Sequence, residues 1–245
     1  MNGHLMHNRR SHVYQSGLHL AVTFFFIFLP LIALLIFTAV VDVTIVDLLA
    51  DFGVSLYRLL AAYLISVTLA WFLAVGFYKG KRALVALPIF DVLQSFPSFA
   101  LFPLFVVWFG KAAVVTIFIL IITMIWPMLF SLLSAQKQIR GELKEAAFIF
   151  GARENKYLLY VLFPLLFPAI VTGSIVAWGE AWEAIIAAEI IVGAGGVGLY
   201  LAQAGTNNMP HVLIVGILLL LLLLFLLNKY IWLPLLNTST KYQQE

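Results

Sequence analysis

The chain contains no cysteine. That absence excludes disulfides and thiolate metal sites, and it removes redox chemistry as a guide to compartment. Charge is also scarce. Asp, Glu, Lys and Arg make up 10% of the 245 residues, against about 25% in an ordinary soluble domain. There is no G-x-x-x-x-G-K-[ST] loop to cradle phosphates, so ATP hydrolysis has no seat here. The dyad alternation of outer-membrane strands is missing too. Runs such as 218–224 are apolar at every position, which excludes a β-barrel.

Apolar residues are present in excess, at 64% of the chain. They fall into blocks near 18–41, 54–78, 83–109, 112–134, 165–191 and 211–235, each matching the roughly 20 residues a spanning helix needs. Backbone amides in hydrocarbon must bond internally. The expectation is therefore an all-α polytopic membrane protein with six transmembrane helices. The first block exceeds the about 7–15 residues of a signal h-region and lacks a small-x-small site, so it is read as a retained helix.

Basic residues orient the bundle, because positive loops stay on the cytoplasmic side. Arg9, Arg10, Lys79, Lys81, Arg82, Lys137, Arg140, Lys144, Arg153, Lys156 and Lys241, 11 of the 14 Lys and Arg, share one side if both termini are cytoplasmic. Asp42, Asp47 and Asp51 take the other side, and Arg58 and Lys111 are the mild exceptions. The net charge of +3 is thus explained by membrane topology, and no nucleic acid is expected as partner. The tails are 1–17 and 236–245, around a transmembrane domain at 18–235. His4, His7 and His12 sit in the first tail without a neighbouring carboxylate, and no metal site is expected.

Two interruptions break the apolar pattern. The cytoplasmic loop 135–164 interleaves Leu143, Ala146, Ala147 and Phe150 with Glu142, Lys144 and Glu145. A short amphipathic helix there either faces a soluble partner or lies on lipid headgroups. The run Gly193-Ala194-Gly195-Gly196-Val197-Gly198 has the glycine density of a dinucleotide fingerprint. It lacks the preceding strand that motif requires, so it is read as an external glycine turn.

A buried Asp at a helix centre costs at least about 2.5 kcal/mol on insertion scales, so intramembrane polar residues are candidate path residues. Asp91, Gln94, Ser95 and Ser98 share a helix face ahead of the disturbance at Pro97. Gln94 and Ser98 are taken as candidates to line a translocation path; alternatively Asp91 caps the helix or pairs with Lys81 or Arg82. Glu180, Glu183 and Glu189 cannot all face one cavity on a straight helix. Glu183 and Glu189 are taken as the path or gate pair, and the alternative is that these carboxylates fix helix packing. No clustered nucleophile, metal set or acid–base set appears, so no catalytic residue is assigned and the chain is not expected to be an enzyme. A proton-coupled secondary transporter using the three glutamates is the rival reading.

Glu145-Ala146-Ala147, three residues, Gly151, nine residues and Val161-Leu162-Phe163-Pro164 closely resembles the EAA loop of importer permeases, Glu-Ala-Ala, three residues, Gly, nine residues, Ile-x-Leu-Pro. Val161 and Phe163 are the departures. Ser55-Leu56-Tyr57-Arg58 is similar to the Ser-Leu-x-Arg start in the same family, the binding-protein-dependent ABC importers of type I fold. The stretch 93–104 with Trp108-Phe109-Gly110, and Trp182 to Glu189 followed by Gly196-Val197-Gly198, resemble its nitrate, sulfonate and taurine branch. The resemblance implies a coupling helix bearing Glu145, Ala146, Ala147, Gly151 and Pro164, docked on a cytoplasmic ATPase dimer. Its small residues would admit close backbone approach, and Glu145 would favour the helix start. It further implies ATP and magnesium on that partner with no cofactor on this chain, a second permease copy, an extracytoplasmic binding protein, and a small oxyanion as cargo.

Overall fold

The computed structural model describes residues 28, 31–32, 45–77, 80–153 and 155–241. Apart from residues 28 and 31–32, the expected helix at 18–41 lies outside the described residues, as does the histidine-bearing tail. Every regular element among the described residues is helical. They are α1 (Ile45–Phe77), α2 (Gly80–Ser95), α3 (Phe102–Phe109), α4 (Ala113–Gln138), α5 (Gly141–Ile149), α6 (Asn155–Val192), α7 (Val197–Thr206) and α8 (Pro210–Leu227, continuing to Lys241).

Four of these helices are long and apolar enough to cross a membrane: Val46–Phe77, Ala113–Gln138, Asn155–Val192 and Pro210–Ser239. The block expected as one span at 83–109 is broken. Arg82–Ser95 and Ser98–Phe109 meet at 82°. Pro97 supplies the reason, since it has no N–H to donate and restricts the residue before it. A 3₁₀ turn, Ser98–Leu101, restarts the chain. If the bent pair is one crossing, the described residues hold five spans.

Boundaries differ from the sequence reading in one direction. α1 begins at Ile45 rather than 54, and its first turn carries Asp47, which suits the positive end of the helix dipole. α4 runs on to Gln138, and α6 begins at Asn155 rather than 165. The loop expected over 135–164 is thereby shortened to α5 and its flanks. Proline explains why the start of α6 escaped detection. A turn of π-helix, Leu158–Leu162, precedes Pro164, and the Phe163 N–H donates to the Leu158 carbonyl. Widening the helix by one residue lets the chain absorb a ring that would clash with the preceding turn. The same device, Asn228–Trp232, precedes Pro234 in α8, where the Leu233 N–H donates to the Asn228 carbonyl.

The centre of the fold is the α4–α6 pair with α1 against it. Met124, Met128, Leu129 and Leu132 of α4 are fully enclosed, as are Leu59 and Ala62 of α1. Gly173 lets the two backbones touch: a Cβ there would stand 2.8 Å from the Met128 Cα. Ser131 Oγ donates to the Ala169 carbonyl at 2.7 Å across the same seam. Small residues at such a crossing are what packing in lipid requires, because no hydrophobic force separates helix from tail. Outward faces carry Leu64, Phe72, Ile217 and Leu221, all exposed, as expected where the solvent is itself apolar.

Candidate functional site

The break at Pro97 opens a cleft of about 460 Å³ between the bent segment, mid-α4 and mid-α6. Its polar lining is Gln94, Ser95, Ser98, Thr123 and Glu180. Phe96, Trp126, Phe130 and the two prolines Pro97 and Pro127 supply apolar walls. Irregular backbone at membrane depth is tolerated where it is buried in protein or lines a cavity, and this break lines a cleft. Local bonds repair part of it, with Ala100 N–H donating to the Pro97 carbonyl at 2.9 Å and Ser95 Oγ to the Asp91 carbonyl at 2.8 Å. Thr123 Oγ1 lies 3.3 Å from Ser98 Oγ, tying the turn to α4. The volume falls within the roughly 300–1,000 Å³ range of small-molecule sites.

Gln94 and Ser98 therefore do line a cleft, but the carboxylate that joins them is Glu180. Glu183 and Glu189, taken together as path or gate residues, are not brought to one place by α6. Glu183 is exposed and outside the cleft lining, whereas Glu189 has no accessible surface at all. Two residues of one helix that differ by a turn and a half face different neighbours.

Glu189 closes a lock between α1 and the glycine turn. Its carboxylate accepts from Arg58 Nη1 at 2.8 Å, from the Ser55 hydroxyl at 2.8 and 2.9 Å, and from the Gly198 N–H at 2.9 Å. Arg58, 5% exposed, also donates to the carbonyls of Gly195 at 2.8 Å and Ala194 at 2.6 Å. Ser55 Oγ accepts from the Val197 N–H, and Asp51 Oδ1 from the Gly196 N–H, at 2.9 and 3.0 Å. A buried charge is tolerable only when paired and hydrogen-bonded, and here both members are. Gly196 makes this closeness possible: its φ is +104°, and a Cβ would fall on the Glu189 carboxylate. The glycine turn read from the sequence is thus a turn, but one clamped by residues more than 130 positions away.

The third feature is the elbow α5, among Lys137, Arg140, Lys144, Arg153 and Lys156. Glu145 and Ala146 are exposed and Ala147 is half-buried. Ile149 and Phe150 project outward, 83% and 89% exposed. Glu142, not Glu145, occupies the first turn, so the helix-start role falls to Glu142. Gly151 ends the helix at φ +82°. The Gly151 N–H donates to the Phe148 carbonyl and the Ala152 N–H to the Ala147 carbonyl, at 3.1 and 2.9 Å. That pair of bonds is a Schellman cap, which demands a left-handed residue at the position where Gly151 stands. Phe148 packs on Tyr157, ring centroids 5.6 Å apart, anchoring the elbow to α6. Pro164 lies beyond the elbow, on α6 just after its π turn.

Residues 66–231 match the family described as the binding-protein-dependent transport system inner membrane component. The chain belongs to this family. The matched region contains the cleft, the elbow and Glu189, while Ser55 and Arg58 precede it. Among relatives, the taurine transport system permease protein of Escherichia coli is 30% identical over 184 residues, 71% of this chain and 66% of that protein. The nitrate import permease protein of Leptolyngbya laminosa is 31% identical over 180 residues, 72% and 64% of the two chains. The bicarbonate transport system permease protein of Synechococcus elongatus is 31% identical over 166 residues, 66% and 60%. The chain spans between about half and two thirds of the length of the relatives it matches first. As a member of an inner membrane component family with several spanning helices, it is a multi-pass membrane protein.

Proposed function

We propose that this chain is one half of the translocation pore of an ATP-driven importer. A binding protein delivers a small solute at the glycine-lock end, a second permease copy completes the pore, and an ATPase dimer docks at the elbow. ATP and magnesium belong to that ATPase. The observation carrying this reading is the elbow, a short capped helix that holds Ile149 and Phe150 out of the lipid-facing bundle among basic residues. Exposed aromatic and aliphatic side chains on a rigid helix are what a groove on a soluble partner accepts. Glu145, Ala146, Ala147 and Gly151 form the face and cap of that helix, and Pro164 marks where α6 takes up its movement.

In this reading, closure of the ATPase dimer moves the two elbows, and each α6 transmits the displacement as a rigid body. The cleft, bordering α6 at Val176 and Glu180, changes access as it tilts. Gln94 and Ser98 are the polar contacts along the way. Relatives named for nitrate, bicarbonate, taurine and sulfonates indicate a cargo of that size.

Reconstitution tests the proposal. Uptake into vesicles should require ATP, the ATPase and the binding protein together. Uptake by this chain alone, driven by a proton gradient, would instead support a carrier that uses the intramembrane carboxylates.

A further inference from the structure

We propose that the solute crossing this cleft presents a positively charged group, an ammonium or a delocalised organic cation, to Glu180, and does not travel as a simple monoanion. The proposal rests on the importer reading for the cleft being a path, and it names the cargo class that this path admits.

The argument starts from charge. Glu180 lines the cleft, and among the described residues the lining includes no Lys, Arg or His. Among the described residues the ion pair is Arg58–Glu189, and none of them gives the carboxylate of Glu180 a counter-ion. It lies about 18 Å along α6 from Val192 by helix rise, well inside the span. Glu183, one turn further on, adds negative potential of the same sign. A nitrate or sulfonate monoanion entering here would shed water beside a like charge with no donor cation to receive it, an arrangement that rejects a partner.

The walls support the same assignment. Trp126 and Phe130 face the cleft with Phe96, and aromatic faces attract cations, the indole most strongly. Gln94 and Ser98 line the same cleft as neutral groups, able to accept from N–H donors. A carboxylate, aromatic faces and neutral acceptors around about 460 Å³ form a site for a small organic cation or for the cationic end of a zwitterion. Of the solutes naming the relatives above, taurine alone carries an ammonium.

The test uses the purified chain in detergent, with N-methylpyridinium chloride as probe and tryptophan fluorescence as readout. Saturable quenching is expected. It should disappear in Trp126→Phe and be competed by taurine or tetramethylammonium, but not by nitrate or methanesulfonate at equal ionic strength. Glu180→Gln should weaken the probe by at least about tenfold while Glu180→Asp retains most of the affinity. Non-saturable quenching, equal competition by nitrate, or wild-type affinity in a folded Glu180→Gln variant would each overturn the proposal. If Glu180→Gln does not fold, the competition pattern on the wild-type chain decides. ATP-dependent uptake by the wild-type assembly judges the importer reading separately, so a negative result here leaves that reading standing.

Discussion

Breaking the Arg58–Glu189 lock should cost far more than any surface salt bridge, because neither partner has water to fall back on. Glu189 has 0% and Arg58 5% exposure, and the carboxylate accepts from Ser55, Arg58 and Gly198. In Glu189→Leu the guanidinium stays enclosed with only the carbonyls of Ala194 and Gly195 as acceptors. Removing one member of a buried pair costs about 3–5 kcal/mol. At about 2–4 °C per kcal/mol for a chain of this length, Tm should fall by about 6–20 °C. Arg58→Leu should do comparable damage by stranding the carboxylate. The double variant Arg58→Leu with Glu189→Leu should recover part of the loss, since no unpaired charge remains. Glu189→Gln, which keeps the shape, should fall between. Thermal scans of the detergent-purified variants, followed by helical circular dichroism, read all four. Single variants melting within about 2 °C of wild type, less than 1 kcal/mol on the same scale, would refute the reasoning. So would a double variant that loses the full sum.

Gly151 holds φ +82° with open space around its Cα. Ala there should cost about 1 kcal/mol of backbone strain with no clash, Asn less, and both should insert normally; a bulky β-branched residue should abolish uptake while ATP hydrolysis by the partner persists, and retained coupling would count against the docking role. Gly173→Leu should destabilise the α4–α6 seam by at least about 1–3 kcal/mol through overpacking, read as a lowered Tm, because the obstruction is the Met128 and Pro127 backbone.

Much of the architecture was legible because hydrocarbon imposes it: an unbroken apolar run such as 211–235 has few other solutions than a helix. Direction was not. Residues 83–109 read as one block because hydropathy is blind to the 82° bend at Pro97. The start of α6 was lost because Pro164 reads as a helix stop, whereas a π turn ahead of it accommodates the ring. The elbow was readable from Glu145 to Gly151, since its cap is set by residues close in sequence. That Glu180 is the carboxylate at the cleft was not legible, for the opposite reason. Wheel geometry separates Glu180, Glu183 and Glu189 by angle, yet only the placement of Gln94 and Thr123 decides which one meets the cleft. The lock was similarly hidden: Ser55 and Arg58 stood in a recognisable pattern, but their partner lies over 130 residues away.

The central claim, that α5 hands work from a separate motor to the membrane helices, is tested most directly by crosslinking. Because the chain has no cysteine, Phe150→Cys creates a single thiol at a position 89% exposed in the wild type. In membranes holding the assembled transporter, a bifunctional maleimide at that thiol should capture a subunit that binds ATP, with a yield that changes when nucleotide is added. Labelling of the thiol by an impermeant reagent from outside the cell, or no capture of any ATP-binding protein, would contradict the account.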